Sequence, residues 1–452
     1  MNIVIIGCGK IGCTLVENLS GEGHDVTAVD VNDKVISEIG NTCDVITVAG
    51  SGTDCDVLSE ANADKADLFI AATGSDELNM LSCFLAKRMG AKHTVARIRD
   101  PEYSEKSIGF MRQQLELSLA INPELQTAKE LCDILKYPGA AKIETFSVRN
   151  FEMIELVLRE GNPLIGLPLT DIRKKFPAKF LICAVQRDGQ VTIPDGSFVL
   201  NSGDKIALTA DTREFQKILK DIGVLTKQAR NVMILGASKT AWYLAKMLLA
   251  AGNSVKIIEK DEQRCKEFSD SLPGAVMIYG DGASAELLRE EGISSMDAFV
   301  ALTGLDEQNI LISVLAESSD VPKVVAKINR TELVYMAEKL GLESSISPKR
   351  IISNVVSRYA RALENSEGSD VETLYKVMDG DAEVLEFKVQ NGLPFLGRPF
   401  REMNIKKGML IAGIVRGRQV IIPSGEDSLL NGDKVVVIAA GHCVKNLTDI
   451  VE

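Results

Sequence analysis

Apolar and polar positions recur along the chain in two rhythms. Ile3-Val4-Ile5-Ile6 is a short continuous apolar run, the mark of a strand buried on both faces. It runs into Gly7-Cys8-Gly9-Lys10-Ile11-Gly12, after which Leu15, Val16 and Leu19 return at helical spacing. A second strand pattern, Val26-Thr27-Ala28-Val29, ends at Asp30. The same order then reappears. Val232-Met233-Ile234-Leu235 runs into Gly236-Ala237-Ser238-Lys239-Thr240-Ala241, and Leu244, Met247 and Leu248 continue as a helix. Val255-Lys256-Ile257-Ile258 ends at Glu259. Gly7 and Gly236 stand 229 residues apart, and so do Asp30 and Glu259.

The register continues at an offset of 230, where Gly50-Ser51-Gly52 matches Gly280-Asp281-Gly282 and Ala72-Thr73-Gly74 matches Leu302-Thr303-Gly304. Strand and helix patterns alternate over each stretch, which predicts a parallel sheet with helices on both faces. Residues 143–210 and 371–440 read instead as short strands separated by turns such as Arg187-Asp188-Gly189-Gln190. These tails also repeat: Pro163, Gly166 and Pro168 match Pro394, Gly397 and Pro399. Helical connectors begin at Pro123 and Pro348, since proline suits a first helical turn, whose N–H would be unpaired anyway. Asn365 to Asp370 has the composition of an exposed linker.

The expected fold class is α/β, with tandem Rossmann-like doubly wound parallel sheets, each followed by a small β-rich α+β lobe. The expected divisions are 1–122 for the first α/β unit, 123–140 for its connector and 141–225 for the first β-rich lobe. The second unit takes 226–347, its connector and linker 348–370, and the second β-rich lobe 371–452.

Charge narrows the function. The chain has 452 residues, with 51 basic and 63 acidic side chains and a net charge of −12, which argues against a nucleic-acid coat. Nine cysteines without a CxxC pair fit a reduced, intracellular setting. No apolar stretch approaches the roughly 18 residues of a membrane span. The chain opens directly in a strand pattern, so no signal peptide and a cytoplasmic location are expected. His24, His93 and His442 are too scattered to predict a metal cluster or a catalytic dyad. Cys8 and Cys13 flank the glycine loop and read as packing residues.

The chemistry concentrates in the first loop. A GxGxxG sequence directly after a strand and opening a helix is the dinucleotide fingerprint in its required context. Gly7 allows the tight turn, Gly9 lets the backbone approach a pyrophosphate, and Gly12 lets helix and strand pack closely. Asp30 ends the second strand, where a carboxylate accepts hydrogen bonds from a ribose diol and repels a 2′-phosphate. NAD or an unphosphorylated adenosine is therefore expected over NADP. In the second loop Gly236 and an acceptable Ala241 remain, but Ser238 puts a side chain where the pyrophosphate approaches; Glu259 could still hold a ribose.

These motifs, with Ala72 to Met80 and Ala96-Arg97-Ile98-Arg99-Asp100-Pro101-Glu102-Tyr103, lie in a duplicated chain with β-rich tails. The whole resembles the TrkA family of cytosolic regulatory subunits of Trk potassium uptake, each with two regulator-of-potassium-conductance (RCK) units. The resemblance implies a gating subunit that binds NAD(H), with ATP or ADP as alternatives. It also implies a membrane potassium-translocating partner of the Trk type, homo-oligomers (dimer or tetramer) and a peripheral place on the inner face of the cell membrane. By the same resemblance Gly7, Cys8, Gly9, Lys10, Ile11 and Gly12 line the pyrophosphate and Asp30 the ribose. Ser51, Thr73 and Gly74 close over the cofactor, and Arg97 brings positive charge to the phosphates. Gly236, Ala237, Ser238, Lys239, Thr240 and Glu259 form the weaker second site, where Lys327 stands for Arg97 and Asn329 for Arg99. An NAD-dependent oxidoreductase is the alternative. The repeated β-rich tails, with no nucleophile motif or metal spacing in the first, favour a non-enzymatic regulator.

Overall fold

A computed structural model describes residues 1–103, 105–136, 142–145, 151–224, 229–342, 344–365, 371–378, 381–441, 444 and 446–452. The expected linker after Asn365, the end of the first connector from 137 to 140 and His442 lie outside these residues.

Six parallel strands form the first sheet: Asn2–Ile6, Asp25–Asp30, Ile46–Ala49, Leu68–Ala71, His93–Arg97 and Leu119–Ile121. Counted along the chain, they lie in the order 3-2-1-4-5-6. Asn231–Leu235, Ser254–Glu259, Val276–Tyr279, Ala298–Ala301, Lys323–Lys327 and Ser345–Ile346 repeat that order in the second sheet. This doubly wound order leaves a crevice beyond the carboxyl ends of the strands, between the first and fourth, where the strand order reverses. Ile3, Ile5 and Ile70 face one helix layer of the first unit, while Val4, Ile6 and Phe69 face the other. Burial on both sides explains why these strands read as unbroken apolar runs.

The connectors exchange partners. Helix Pro123–Lys136, which follows the first unit, places Ala128, Leu131, Ile134 and Leu135 in the core of the second. Helix Pro348–Asn365 follows the second unit and places Ile352, Val356 and Ala360 against Leu15, Val16 and Leu19 of the first. Each unit thus completes one core face with a helix from the other repeat.

Each β-rich lobe is a five-stranded antiparallel sheet. Lys142–Thr145, Phe151–Val157, Phe180–Arg187, Gln190–Thr192 and Lys205–Asp211 make the first. Val371–Val377, Ala382–Lys388, Met409–Arg416, Gln419–Ile421 and Lys434–Ala440 make the second. Asp188 and Gly189 both take positive φ, 53° and 78°, which closes the tight hairpin that the sequence marks there. Alternate residues of strand Lys205–Asp211 serve different cores: Ile206, Leu208 and Ala210 pack within their own lobe, and Ala207 packs against the other. Between the lobes, Thr209 Oγ1 donates to the Ala412 carbonyl at 3.2 Å, and the Met378 amide donates to buried Glu155 at 3.0 Å. Arg173 donates to the Pro423 carbonyl of the second lobe at 3.0 Å.

Candidate functional site

The first glycine loop is shaped by close approach. Gly7 has φ +87°, and a Cβ there would stand 2.7 Å from the Thr73 amide nitrogen. A Cβ on Gly12 would stand 1.9 Å from the Gly7 carbonyl oxygen, so this glycine sets how closely helix Lys10–Gly21 meets the strand end. Gly9 differs: a Cβ there would meet no atom within 4 Å. Gly9 is also the N-cap of the helix, and no side chain caps the first turn. The first amides of a helix otherwise lack partners and carry the positive end of its dipole, so this end is a ready anion cradle.

Asp30 is held facing that cradle. Its Oδ2 accepts from the Cys8 amide at 2.6 Å and its Oδ1 from the Asn32 amide at 2.9 Å. Gly7, Gly9, Lys10, Ile11, Asp30, Ser51, Thr73, Gly74 and Arg97 all line one cleft of about 730 Å³. Cys8 and Gly12 do not line it; Cys8 contributes its amide to Asp30, and Gly12 contributes the packing. Burial pushes the Cys8 thiol up to about 12, so it stays protonated near neutral pH and acts as a packing group.

Several charges at the cleft are paired within the protein. The Arg97 guanidinium is paired with Glu124 at 3.2 Å, and both side chains are largely buried. Glu124 thus answers part of that charge, while the Arg97 side chain still lines the cleft. Burial also draws its pKa down, while Glu124 pulls it back. Arg99 bonds the Asp76 carboxylate at 3.1 Å and the Gly74 carbonyl. Asp76 is buried and also accepts from the Arg99 and Asp100 amides. Among the described residues Lys10 and Lys349, both on the cleft wall, make no ion pair or hydrogen bond through their ammonium groups. They supply the open positive charge.

The opposite wall comes from the second repeat. Ser238, Lys239, Thr240, Gly304, Lys327 and Asn329 all line the same cleft. Lys239 crosses between the repeats to Asp100 at 2.6 Å. Behind the wall the Tyr243 hydroxyl donates to the Arg99 carbonyl at 3.0 Å and accepts from the Asn122 amide group at 3.1 Å.

A smaller cavity of about 350 Å³ lies over the second loop, lined by Gly236, Ala237, Ser238, Glu259, Lys260, Arg264 and Thr303 among others. Lys239 and Thr240, expected in this second site, line the first cleft instead. Helix Lys239–Ala250 leaves its N-cap at Ser238, and the loop side chains just inside it project toward the other repeat. Ser238 Oγ accepts from the Ala241 amide at 3.3 Å and caps its own helix. One donor that the first loop leaves open is thereby taken up in the second. Glu259 accepts from the Ala237 amide at 2.6 Å, as Asp30 does from Cys8.

The residues of the first cleft fit a dinucleotide or a nucleotide phosphate: an open glycine, an uncapped helix start, a carboxylate at the strand end and two open lysines. Sequence reasoning missed Glu124, Lys349 and Tyr243. Only the folded chain brings Glu124 and Lys349 to the cleft and Tyr243 behind its wall, and no motif spacing marks them.

The TrkA-N domain matches residues 3–113 and 232–348, and the TrkA-C domain matches 153–223 and 384–451. The chain belongs to the TrkA family. It is 32% identical over 450 residues to the Trk system potassium uptake protein TrkA homolog of Archaeoglobus fulgidus, covering 100% of both chains. It is 32% identical over 444 residues to the TrkA protein of Vibrio alginolyticus, covering 97% of this chain and 95% of the relative. Among solved structures, the GsuK RCK domain superposes with a TM-score of 0.64 at 20% identity, over 97% of this chain and 92% of that one. The GsuK channel bound to NAD gives 0.63 at 19% identity, over 97% and 77%. These likenesses support the doubly wound and β-rich pairing as an RCK fold.

Proposed function

We propose that this TrkA-family chain is a regulatory subunit of potassium transport that senses NAD(H), with ADP or ATP as the alternative ligands, in its first cleft. The observation that carries the reading is the cleft's construction: an open anion cradle and Asp30 from one repeat, closed by the other. A ligand there touches the first unit, the second unit and the start of the second connector at Pro348 and Lys349. Binding therefore favours one relative placement of the two units over others. A ligand that binds one arrangement tenfold better shifts the balance by about 1.4 kcal/mol. The connectors pass that bias to the β-rich lobes, because each is packed in the core of the opposite unit.

Among the described residues no histidine or cysteine side chain lines the cleft, and its carboxylates are engaged by backbone amides or by Arg97. That supports sensing without turnover. Among the described residues no helix is long and apolar enough to cross a membrane, so potassium movement requires a separate translocating subunit. In this reading the chain sits at the inner membrane face beside that subunit, as a homo-oligomer.

Calorimetry against NADH, NAD, ADP, ATP and NADPH tests the ligand assignment. One dominant site per chain with NADPH among the weakest is expected; no binding by any of them overturns it. Lys239→Ala is expected to weaken binding at this dominant site by about three- to tenfold, more at low salt than at high. Equal affinity of wild type and variant at low salt would remove the second repeat from the site.

A further inference from the structure

The turn between helix Lys10–Gly21 and strand Asp25–Asp30 carries His24 into a joint of three parts of the chain. His24 is 8% exposed. Its Nδ1 lies 3.3 Å from the carboxylate of Glu364, in the last turn of helix Pro348–Asn365. Its Nε2 is buried and, among the described residues, has no hydrogen-bond partner.

Charged groups face it from every side of the joint. The Met1 ammonium lies 3.8 Å from the same Glu364 oxygen. Glu22, on the turn itself, pairs with Arg361 of the connector at 3.2 Å. Arg361 also reaches Glu383, on strand Ala382–Lys388 of the second β-rich lobe, at 3.9 Å. The joint therefore ties the first α/β unit to the connector end, and through Arg361 to the lobe that follows. The other repeat lacks it. Asn253 and Ala251 stand at the positions matching His24 and Glu22, and Asn253 bonds the Ala229 carbonyl of its own unit at 2.5 Å.

We propose that this joint is an acid-loosened latch: proton uptake by His24 weakens the hold of the first unit on the connector end and the second β-rich lobe. A neutral imidazole donates from Nδ1 to Glu364 and leaves Nε2 a bare lone pair, a smaller cost than a buried charge. Protonation adds an N–H at Nε2, where no acceptor stands, and sets a cation beside the Met1 ammonium and Arg361. The sign agrees with the surroundings. Burial draws the His24 pKa below its ordinary value and outweighs the attraction of Glu364. The latched form thus holds fewer protons than the open form. The latch is closed above the ordinary histidine value of about 6.5, and weakens as pH falls from there toward the lowered value.

Hydrogen exchange of the full chain, corrected for intrinsic rates, tests this. From about pH 7.5 to about 5.5, exchange across 356–365 is expected to rise about threefold or more in the wild type. In His24→Asn, which copies the second repeat, it is expected to stay flat. No rise in the wild type, or the same rise in His24→Asn, would overturn the latch. NMR titration of the wild-type imidazole supplies a readout that needs no variant. A midpoint below the ordinary value supports the latch, and one above it means that acid tightens the joint and overturns the proposal.

Discussion

Gly9→Ser lowers affinity for the dinucleotide by at least about tenfold, with thermal stability unchanged or slightly raised. A Cβ at Gly9 meets nothing within the protein, so serine enters the open cleft and not a neighbour. At the N-cap its hydroxyl is placed to do what Ser238 does in the second loop, accepting from an amide of the first turn. Serine caps a helix better than glycine by a few tenths of a kcal/mol, so the fold does not suffer. The ligand loses on two counts: its pyrophosphate meets a side chain, and one phosphate-facing amide is already bonded. A tenfold loss corresponds to about 1.4 kcal/mol, within reach of a single charge-assisted hydrogen bond. Calorimetry beside a thermal melt reads both quantities. Unchanged affinity would show that phosphates do not lie at this loop.

Asp30→Ala lowers affinity for NADH by about ten- to a hundredfold and narrows the preference over NADPH. The carboxylate already holds the Cys8 and Asn32 amides, and each oxygen keeps a second lone pair for a ribose hydroxyl. Removing it deletes charge-assisted bonds worth about 1.5–3 kcal/mol and lifts the repulsion of a 2′-phosphate. Asp30→Asn separates the two effects. Its amide oxygen can still receive the Cys8 N–H, so the loop is kept while the negative charge is lost. The expected outcome is an intermediate affinity with the preference over NADPH already reduced. Wild-type affinity and preference in Asp30→Ala would place the ribose elsewhere.

Much of the architecture was legible because the duplication repeats residues that local geometry demands. Gly7 and Gly236 both need positive φ, and Asp30 and Glu259 both close a strand end by accepting an amide from the loop. Doubly buried strands announced themselves as apolar runs, and the hairpin at Asp188-Gly189 as turn chemistry. Contacts between distant segments were not legible. Helical periodicity marks Leu131 and Ile134, or Ile352 and Val356, as buried without saying which unit buries them. The exchange of connectors is a tertiary choice. For the same reason Lys239 looked like part of its own loop's site, and Arg97 looked free to meet a phosphate. The fold turns the first toward the opposite cleft and brings Glu124, 27 residues away, to the second.

The most direct test of the regulatory reading is potassium flux in liposomes that hold a Trk-type translocating subunit, with this protein added outside and nucleotide titrated in. The expected result is that the protein binds the subunit-bearing membrane and makes flux depend on nucleotide, with half-effect near the calorimetric affinity and a displaced response in Gly9→Ser. Flux indifferent to every nucleotide while the protein is bound, or steady consumption of NADH with a metabolite in place of any effect on flux, would contradict it.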